Sequence, residues 1–229
     1  MARLALVEKG LSFHRRPVDI MQTNEQFTAW YVALNPRAVV PTLSIDGEIV
    51  TDTLMIVNRV NALSGPDLSG DDSTQTWLRD IMALHYGVLM YRKRLGADGR
   101  ARQIVARGQL LQALKEQRPD IESLVEARLE GNRRFQALLG DPQATETHVG
   151  ATRSLIDRMA ATLSDQPFLA GNAYSLADCF ATAALARFNI HGFAPDWETT
   201  ALHDYYARMR SRPSFETADV VDIGEEKDL

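Results

Sequence analysis

Every strand signal in this sequence falls before residue 52, and that confinement limits the folds open to it. Phe13 to Ile20 carries a short strand pattern around Arg16 to Asp19. Thr42 to Ile45 and Glu48 to Thr51 flank Asp46-Gly47, a dipeptide suited to the left-handed backbone of a tight hairpin turn. From Asp52 the apolar period changes. Ile56, Val60 and Leu63 fall at i, i+4 and i+7, one stripe of a helix. Two helical patterns precede the hairpin: residues 2–9, ended by Gly10, and Glu25 to Leu34, stopped by Asn35-Pro36. Ser64 to Ser73 is rich in Ser, Gly, Pro and Asp and reads as a linker.

After the linker only helical patterns follow. Trp77 to Leu95 reads as one long helix, and further helices run through roughly 100–115, 119–139 and 146–164. Asp98-Gly99 and Asp141-Pro142 read as breaks. Ser175 to Asn189 is nearly apolar all round, the mark of a buried central helix. Thr200 to Arg210 and a short turn after Arg212-Pro213 close the pattern, and the acidic tail from Asp222 is expected to be loose. The order predicts an α+β protein: a mixed head followed by an all-α body.

Composition narrows the function classes. The net charge is −5, and the basic pairs Arg15-Arg16 and Arg133-Arg134 are isolated, which argues against a nucleic-acid partner. No apolar run approaches the ~18 residues of a membrane span. Cys179 is the one cysteine, so no intrachain disulfide can form, and a reducing, cytoplasmic setting is expected. His14, His85, His148, His191 and His203 are scattered without ligand spacing, so no metal is expected.

Three motifs carry more specific information. Asn35-Pro36-Arg37-Ala38-Val39-Val40-Pro41-Thr42-Leu43 leads into the hairpin. Asp52-Thr53 opens the helix that leaves it, where free N–H groups and a partial positive charge suit a carboxylate. Ser175-Leu176-Ala177-Asp178, after Phe168-Leu169-Ala170-Gly171, has the spacing of a capping box.

Together these motifs resemble the glutathione transferase superfamily over essentially the whole chain. The resemblance implies a truncated thioredoxin-like domain over 1–63, a linker over 64–75 and an all-helical domain over 76–229. It implies glutathione as co-substrate. The Val40-Pro41 bond would be cis, with the Val40 backbone pairing with the cysteinyl backbone of glutathione as a short strand. Thr53 would donate to the γ-glutamyl carboxylate, and Asp52 would pair with the ammonium group. Arg37 would meet the glycine end, where Val39 replaces the Gln or Lys of many relatives. His85 and Tyr86, with Met82, Met90 and Lys93 on neighbouring turns, are candidates to line a pocket for a hydrophobic second substrate. A homodimer is implied.

Within the superfamily the chain is similar to bacterial tetrachlorohydroquinone reductive dehalogenases. The residues that carry this are Ala38 to Leu43, the long region between 96 and 145, and Tyr205-Tyr206-Ala207-Arg208-Met209 running into Ser214-Phe215-Glu216-Thr217-Ala218. The resemblance also implies a first strand and a loop bearing a thiol-activating Tyr, Ser or Cys, both upstream of Met1. The expectation is that an N-terminal stretch supplies them; the alternative is a rearranged sheet. Cys179 is expected to be a structural residue of a buried helix. The implied function is a glutathione-dependent transferase acting on an aromatic or halogenated electrophile, by conjugation, reductive dehalogenation or ether cleavage. The alternative is a non-catalytic protein that binds glutathione or a hydrophobic ligand.

Overall fold

The computed structural model describes residues 1–20, 22–94 and 97–221, with side chains for all of these but 92–94 and 97–101. In chain order, α1 spans Ala2–Glu8, α2 Ala29–Leu34, β1 Leu43–Ile45, β2 Glu48–Val50, α3 Thr53–Asn61 and α4 Thr74–Ala83. Then come α5 Tyr86–Arg94, α6 Ala97–Gln117, α7 Glu122–Gly140 and α8 Pro142–Asp165. The last helices are α9 Leu176–Ile190, α10 Ala201–Arg210 and α11 Pro213–Thr217. The chain divides into two compact units, one of Met1–Ala83 with Ile156–Leu229 and one of Leu84–Leu155.

In the first unit α1 buries Leu4, Ala5 and Leu6 and packs against α3, α9 and α11. It ends as Gly10 predicts. Gly10 has φ +69, its N–H donates to the Val7 carbonyl, and the Leu11 N–H donates to the Leu6 carbonyl, which together terminate the helix. Helix α9 is buried continuously from Leu176 to Thr182 and packs against α4 and α10. The expected capping box is present at its start. The Asp178 carboxylate, fully buried, accepts from the N–H groups of Leu169 (3.0 Å) and Ser175 (2.9 Å) and from the hydroxyls of Ser175 and Tyr205, both at 2.8 Å. Burial pushes this carboxyl pKa up, and the four donors act against that rise.

Segment 64–73 is fastened down. The buried Lys9 ammonium donates to the carbonyls of Asn61 (2.9 Å) and Pro66 (2.8 Å). The Asn61 side chain in turn accepts from the Leu68 N–H at 2.8 Å. Helix α4 starts at Thr74, earlier than the predicted Trp77. In the second unit α6 packs against α7, and Asn132 on α7 donates to the Ile104 carbonyl at 3.2 Å.

Three expectations are corrected. Arg16 to Asp19 forms no strand. Its groups are engaged elsewhere: the Asp19 carboxylate accepts from the Gln22 and Thr23 N–H groups, its carbonyl accepts from the Glu25 N–H, and the Arg16 guanidinium stacks on Trp30 at 3.6 Å. Pro17 also lacks a donor for any ladder. The long helix over 77–95 is two helices, α4 and α5, because the His85 ring turns back to accept from the Val88 N–H and starts a new helix. Asp98-Gly99 does not interrupt a helix; both lie inside α6. Asp141-Pro142 does break one, with the Asp141 carboxylate accepting from Gln143 N–H at 2.9 Å at the start of α8.

Two stability predictions follow from these contacts. At Gly65 φ is +105, and a Cβ would stand 2.2 Å from the Lys9 carbonyl oxygen. Gly65→Ala is therefore expected to lower stability by more than about 1 kcal/mol, read as a lower thermal midpoint. Glu8 accepts a bidentate pair from Arg212 at 2.8 and 2.6 Å and a hydroxyl from Ser214. Burial raises its pKa, but the Arg212 and Ser214 hydrogen bonds outweigh it, so the net value lies below 4.5. A depressed carboxylate stabilises the fold above its unfolded pKa and loses that contribution as pH falls through the folded value. Glu8→Gln is expected to cost ~1–2 kcal/mol at neutral pH, with the difference from wild type shrinking as thermal melts are taken to progressively more acidic pH below 4.5.

Candidate functional site

The hairpin positions the site. Asp46 and Gly47 have φ +49 and +83, the paired left-handed conformation of a two-residue turn that matches the twist of the strands. This sets Leu43 opposite Val50, Ser44 opposite Ile49 and Ile45 opposite Glu48. Beyond Leu43 and Val50 the chain leaves the same end of the hairpin as Val40-Pro41 on one side and Asp52-Thr53 on the other. Two of the motifs are thus delivered side by side by strand register.

The Val40-Pro41 bond is cis, and Val40 is 42% exposed. Among the described residues the Val40 N–H and carbonyl make no hydrogen bond. The preceding carbonyl, of Val39, is turned inward and accepts from the Tyr31 hydroxyl and the Asn35 side-chain amide, both at 2.7 Å. Across the hairpin end Asp52 is the N-cap of α3. Its Oδ1 accepts from the N–H groups of Leu54 (2.9 Å) and Met55 (3.2 Å). That leaves the Thr53 N–H and hydroxyl without a hydrogen bond among the described residues. The site therefore offers one open peptide edge and one helix N-terminus with a hydroxyl, a pattern that fits a short extended peptide carrying a carboxylate.

Arg37 is exposed, and its N–H donates to the Asn35 side-chain carbonyl at 3.1 Å. His85 and Tyr86 lie in the second unit, at the start of α5. The His85 ring stacks on Phe135 at 5.2 Å with 9° between planes, and His148 meets it at 5.3 Å. Tyr91 meets Phe135 edge-on at 5.5 Å. Gly87 leaves room for the stack: a Cβ there would stand 3.1 Å from Phe135 and 3.2 Å from His85. Desolvation and then the neighbouring His148 lower the His85 pKa. Met82 is on α4 in the first unit and Met90 on α5; the Lys93 side chain lies outside the described residues.

Reading the sequence missed Tyr31, Asn35 and Thr42, which hold the loop before the hairpin. Asn35 reads as the stop of a helix, yet it is fully buried and bonded to both ends of the Val39 to Thr42 segment. Phe135 and His148 were also missed as neighbours of His85, because they come from distant helices.

The sequence matches the family description "Glutathione S-transferase, N-terminal domain" over residues 1–63 and "Glutathione S-transferase, C-terminal domain" over residues 109–213. It is 31% identical over 230 residues to a tetrachloro-p-hydroquinone reductive dehalogenase of Sphingobium chlorophenolicum, covering 96% of this chain and 90% of that protein. It is 25% identical to the glutathione S-transferase TCHQD of Arabidopsis thaliana, covering 93% of this chain and 82% of the relative. Among solved structures, the beta-etherase LigF from Sphingobium sp. strain SYK-6 matches with a TM-score of 0.71 and 25% identity, over 95% of this chain and 92% of that one. The chain belongs to the glutathione S-transferase family. Its fold is α+β: among the described residues, a small two-stranded antiparallel sheet in the N-terminal part, followed by helices.

Among the described residues no helix is long and apolar enough to cross a membrane, and no group of three or more His, Cys, Asp or Glu could hold a metal ion. Cys179 is fully buried in α9, and burial pushes its thiol pKa up to about 12. A thiol of this kind is a poor nucleophile. It is expected to resist an aromatic disulfide reagent in the native protein and to react once the chain is unfolded in denaturant, read as thionitrobenzoate absorbance.

Proposed function

We propose that this protein is a glutathione-dependent transferase acting on an aromatic or halogenated electrophile. The observation that carries the reading is the open Val40 peptide edge beside the α3 N-terminus, with the Thr53 N–H and hydroxyl available there. Glutathione has the matching groups: a cysteinyl N–H and C=O that can pair with Val40, and a γ-glutamyl carboxylate that Thr53 and the helix N-terminus can receive. Asp52 caps with one oxygen, and its second is the group we assign to the glutathione ammonium. We assign Arg37 to the glycine carboxylate and the cis Val40-Pro41 bond to the presentation of Val40.

For an acceptor bearing a halogen, the glutathione sulfur forms the new bond to carbon, halide leaves with the bonding pair, and the thiol proton goes to solvent. Reductive dehalogenation and ether cleavage are the reactions that the printed names of the dehalogenase and the beta-etherase relatives support. His85, stacked on Phe135, and Tyr86 are the aromatic groups we assign to the acceptor. The division into a glutathione-binding part over 1–63, a linker over 64–75 and a helical part over 76–229 belongs to the same proposal. So do a cytoplasmic location and a homodimer. The exposed apolar side chains of Ile49 and Met55 support a partner surface.

Calorimetric titration of the protein with glutathione tests the reading. Saturable binding is expected, and Thr53→Val should weaken it about tenfold, the worth of one hydrogen bond to a charged group. Absence of binding by the wild-type chain would contradict the proposal, and turnover of a chlorinated hydroquinone with halide release would extend it to catalysis.

A further inference from the structure

The loop before the hairpin is aimed by a closed set of side-chain hydrogen bonds, and every proton in it can be assigned. The Val39 carbonyl only accepts, so the Tyr31 O–H and one Nδ2 proton of Asn35 both point at it, each at 2.7 Å. The Tyr31 oxygen, its one proton committed, accepts from the Thr42 hydroxyl at 2.9 Å. Thr42, its own proton used, accepts the second Asn35 Nδ2 proton at 3.1 Å. Asn35 completes its valence by accepting the Arg37 N–H on its side-chain oxygen (3.1 Å) and the Ala38 N–H on its backbone carbonyl (2.8 Å). Asn35 is 0% and Tyr31 3% exposed, so the set operates where hydrogen bonds are strong and an unmade one is costly.

The consequence is directional. With both lone pairs of the Val39 carbonyl filled from inside, that peptide group cannot turn outward. Ala38 is held at φ +47, a conformation costly for a residue with a Cβ, and the next residue, Val40, is left at the surface with its N–H and carbonyl open. None of the three anchoring side chains is needed for contact with anything bound at Val40.

We infer that Tyr31, Asn35 and Thr42 are positioning residues for glutathione: they pre-set the direction of the Val40 peptide edge and thereby the affinity for the tripeptide. This rests on the glutathione-binding reading given above. Pre-setting the edge removes an ordering cost that the ligand would otherwise meet on binding.

The test compares Tyr31→Phe, Thr42→Val and Thr42→Ser in the full chain, with glutathione as the probe in calorimetry. Tyr31→Phe and Thr42→Val are expected to raise the Kd about five- to tenfold. Thr42→Ser, which keeps the hydroxyl, should stay within about twofold. Where turnover is measurable, the KM for glutathione should rise while that for the electrophile does not, a split that general loosening of the fold would not produce. Wild-type affinity in Tyr31→Phe and Thr42→Val, with far-UV circular dichroism intact, would overturn the inference. Amide exchange on the wild-type protein decides the matter if those variants fail to fold. Glutathione should slow exchange at Val40 while leaving Arg37 and Ala38, already held by Asn35, unchanged; slowing at all three would show the ligand ordering the loop and overturn it. No binding by the wild-type chain would be a separate result, the failure of the glutathione reading itself, and the inference would fall with it.

Discussion

Leu43 opposite Val50, Ser44 opposite Ile49 and Ile45 opposite Glu48 make a ladder only three residues long, yet the binding end of the molecule hangs from it. Side chains alternate along a strand, so a slip of one residue would carry Val50 out of the core and separate Val40-Pro41 from Asp52-Thr53. A turn with left-handed backbone at both Asp46 and Gly47 resists that slip. The buried cluster of Tyr31, Asn35 and Thr42 fixes the incoming chain, and the Asp52 cap fixes the outgoing one. The Val40 edge and the Thr53 N–H are left open beside these fastened groups.

The surroundings of this end are stiffened by polar groups in apolar places. Lys9 closes α1 onto the carbonyl end of α3 and onto Pro66. Glu8 and Arg212 tie α1 to the start of α11, and Asp219 ties Arg3 and Arg15 to the segment after it. Deeper in the same unit, Asp178 gathers the 169–175 loop, the start of α9 and the Tyr205 hydroxyl of α10. Lys9 and Asp178 are buried and the Glu8 side chain nearly so, and their burial is tolerated because donors and acceptors are matched around them, whereas the Asp219 pairs lie at the surface. Helix α9, buried over most of its length, is the element that the Asp178 group anchors at its N-terminus.

Local chemistry was legible in the sequence wherever a residue acts on its immediate neighbours. Asp46-Gly47, the Asp52 cap, the Gly10 terminus and the Ser175 to Asp178 box all do what their types and spacing dictate within a few residues. Asn35 shows the limit. Its local signal, a helix stop before proline, is real, since α2 ends at Leu34. Its larger role depends on Val39 and Thr42 folding back over it, which no periodicity reveals. Arg16 to Asp19 failed for a related reason: a strand needs a partner, whereas the Asp19 side chain finds two nearby backbone N–H groups, and its carbonyl a third, at less entropic cost. His85 broke a helix that the apolar pattern carries through, because an imidazole acceptor can begin a helix as well as sit inside one. The family resemblance, carried by motifs at both ends of the chain, survived these local misreadings.

Nuclear magnetic resonance mapping of glutathione on the isotopically labelled protein tests the central claim most directly. The account predicts the largest amide shifts at Val40 and Thr53, with smaller changes at Leu54 and Thr42 and none at the buried start of α9. Shifts confined to the helical unit, or no shifts at all, would contradict the claim that the open end of the hairpin is the glutathione site.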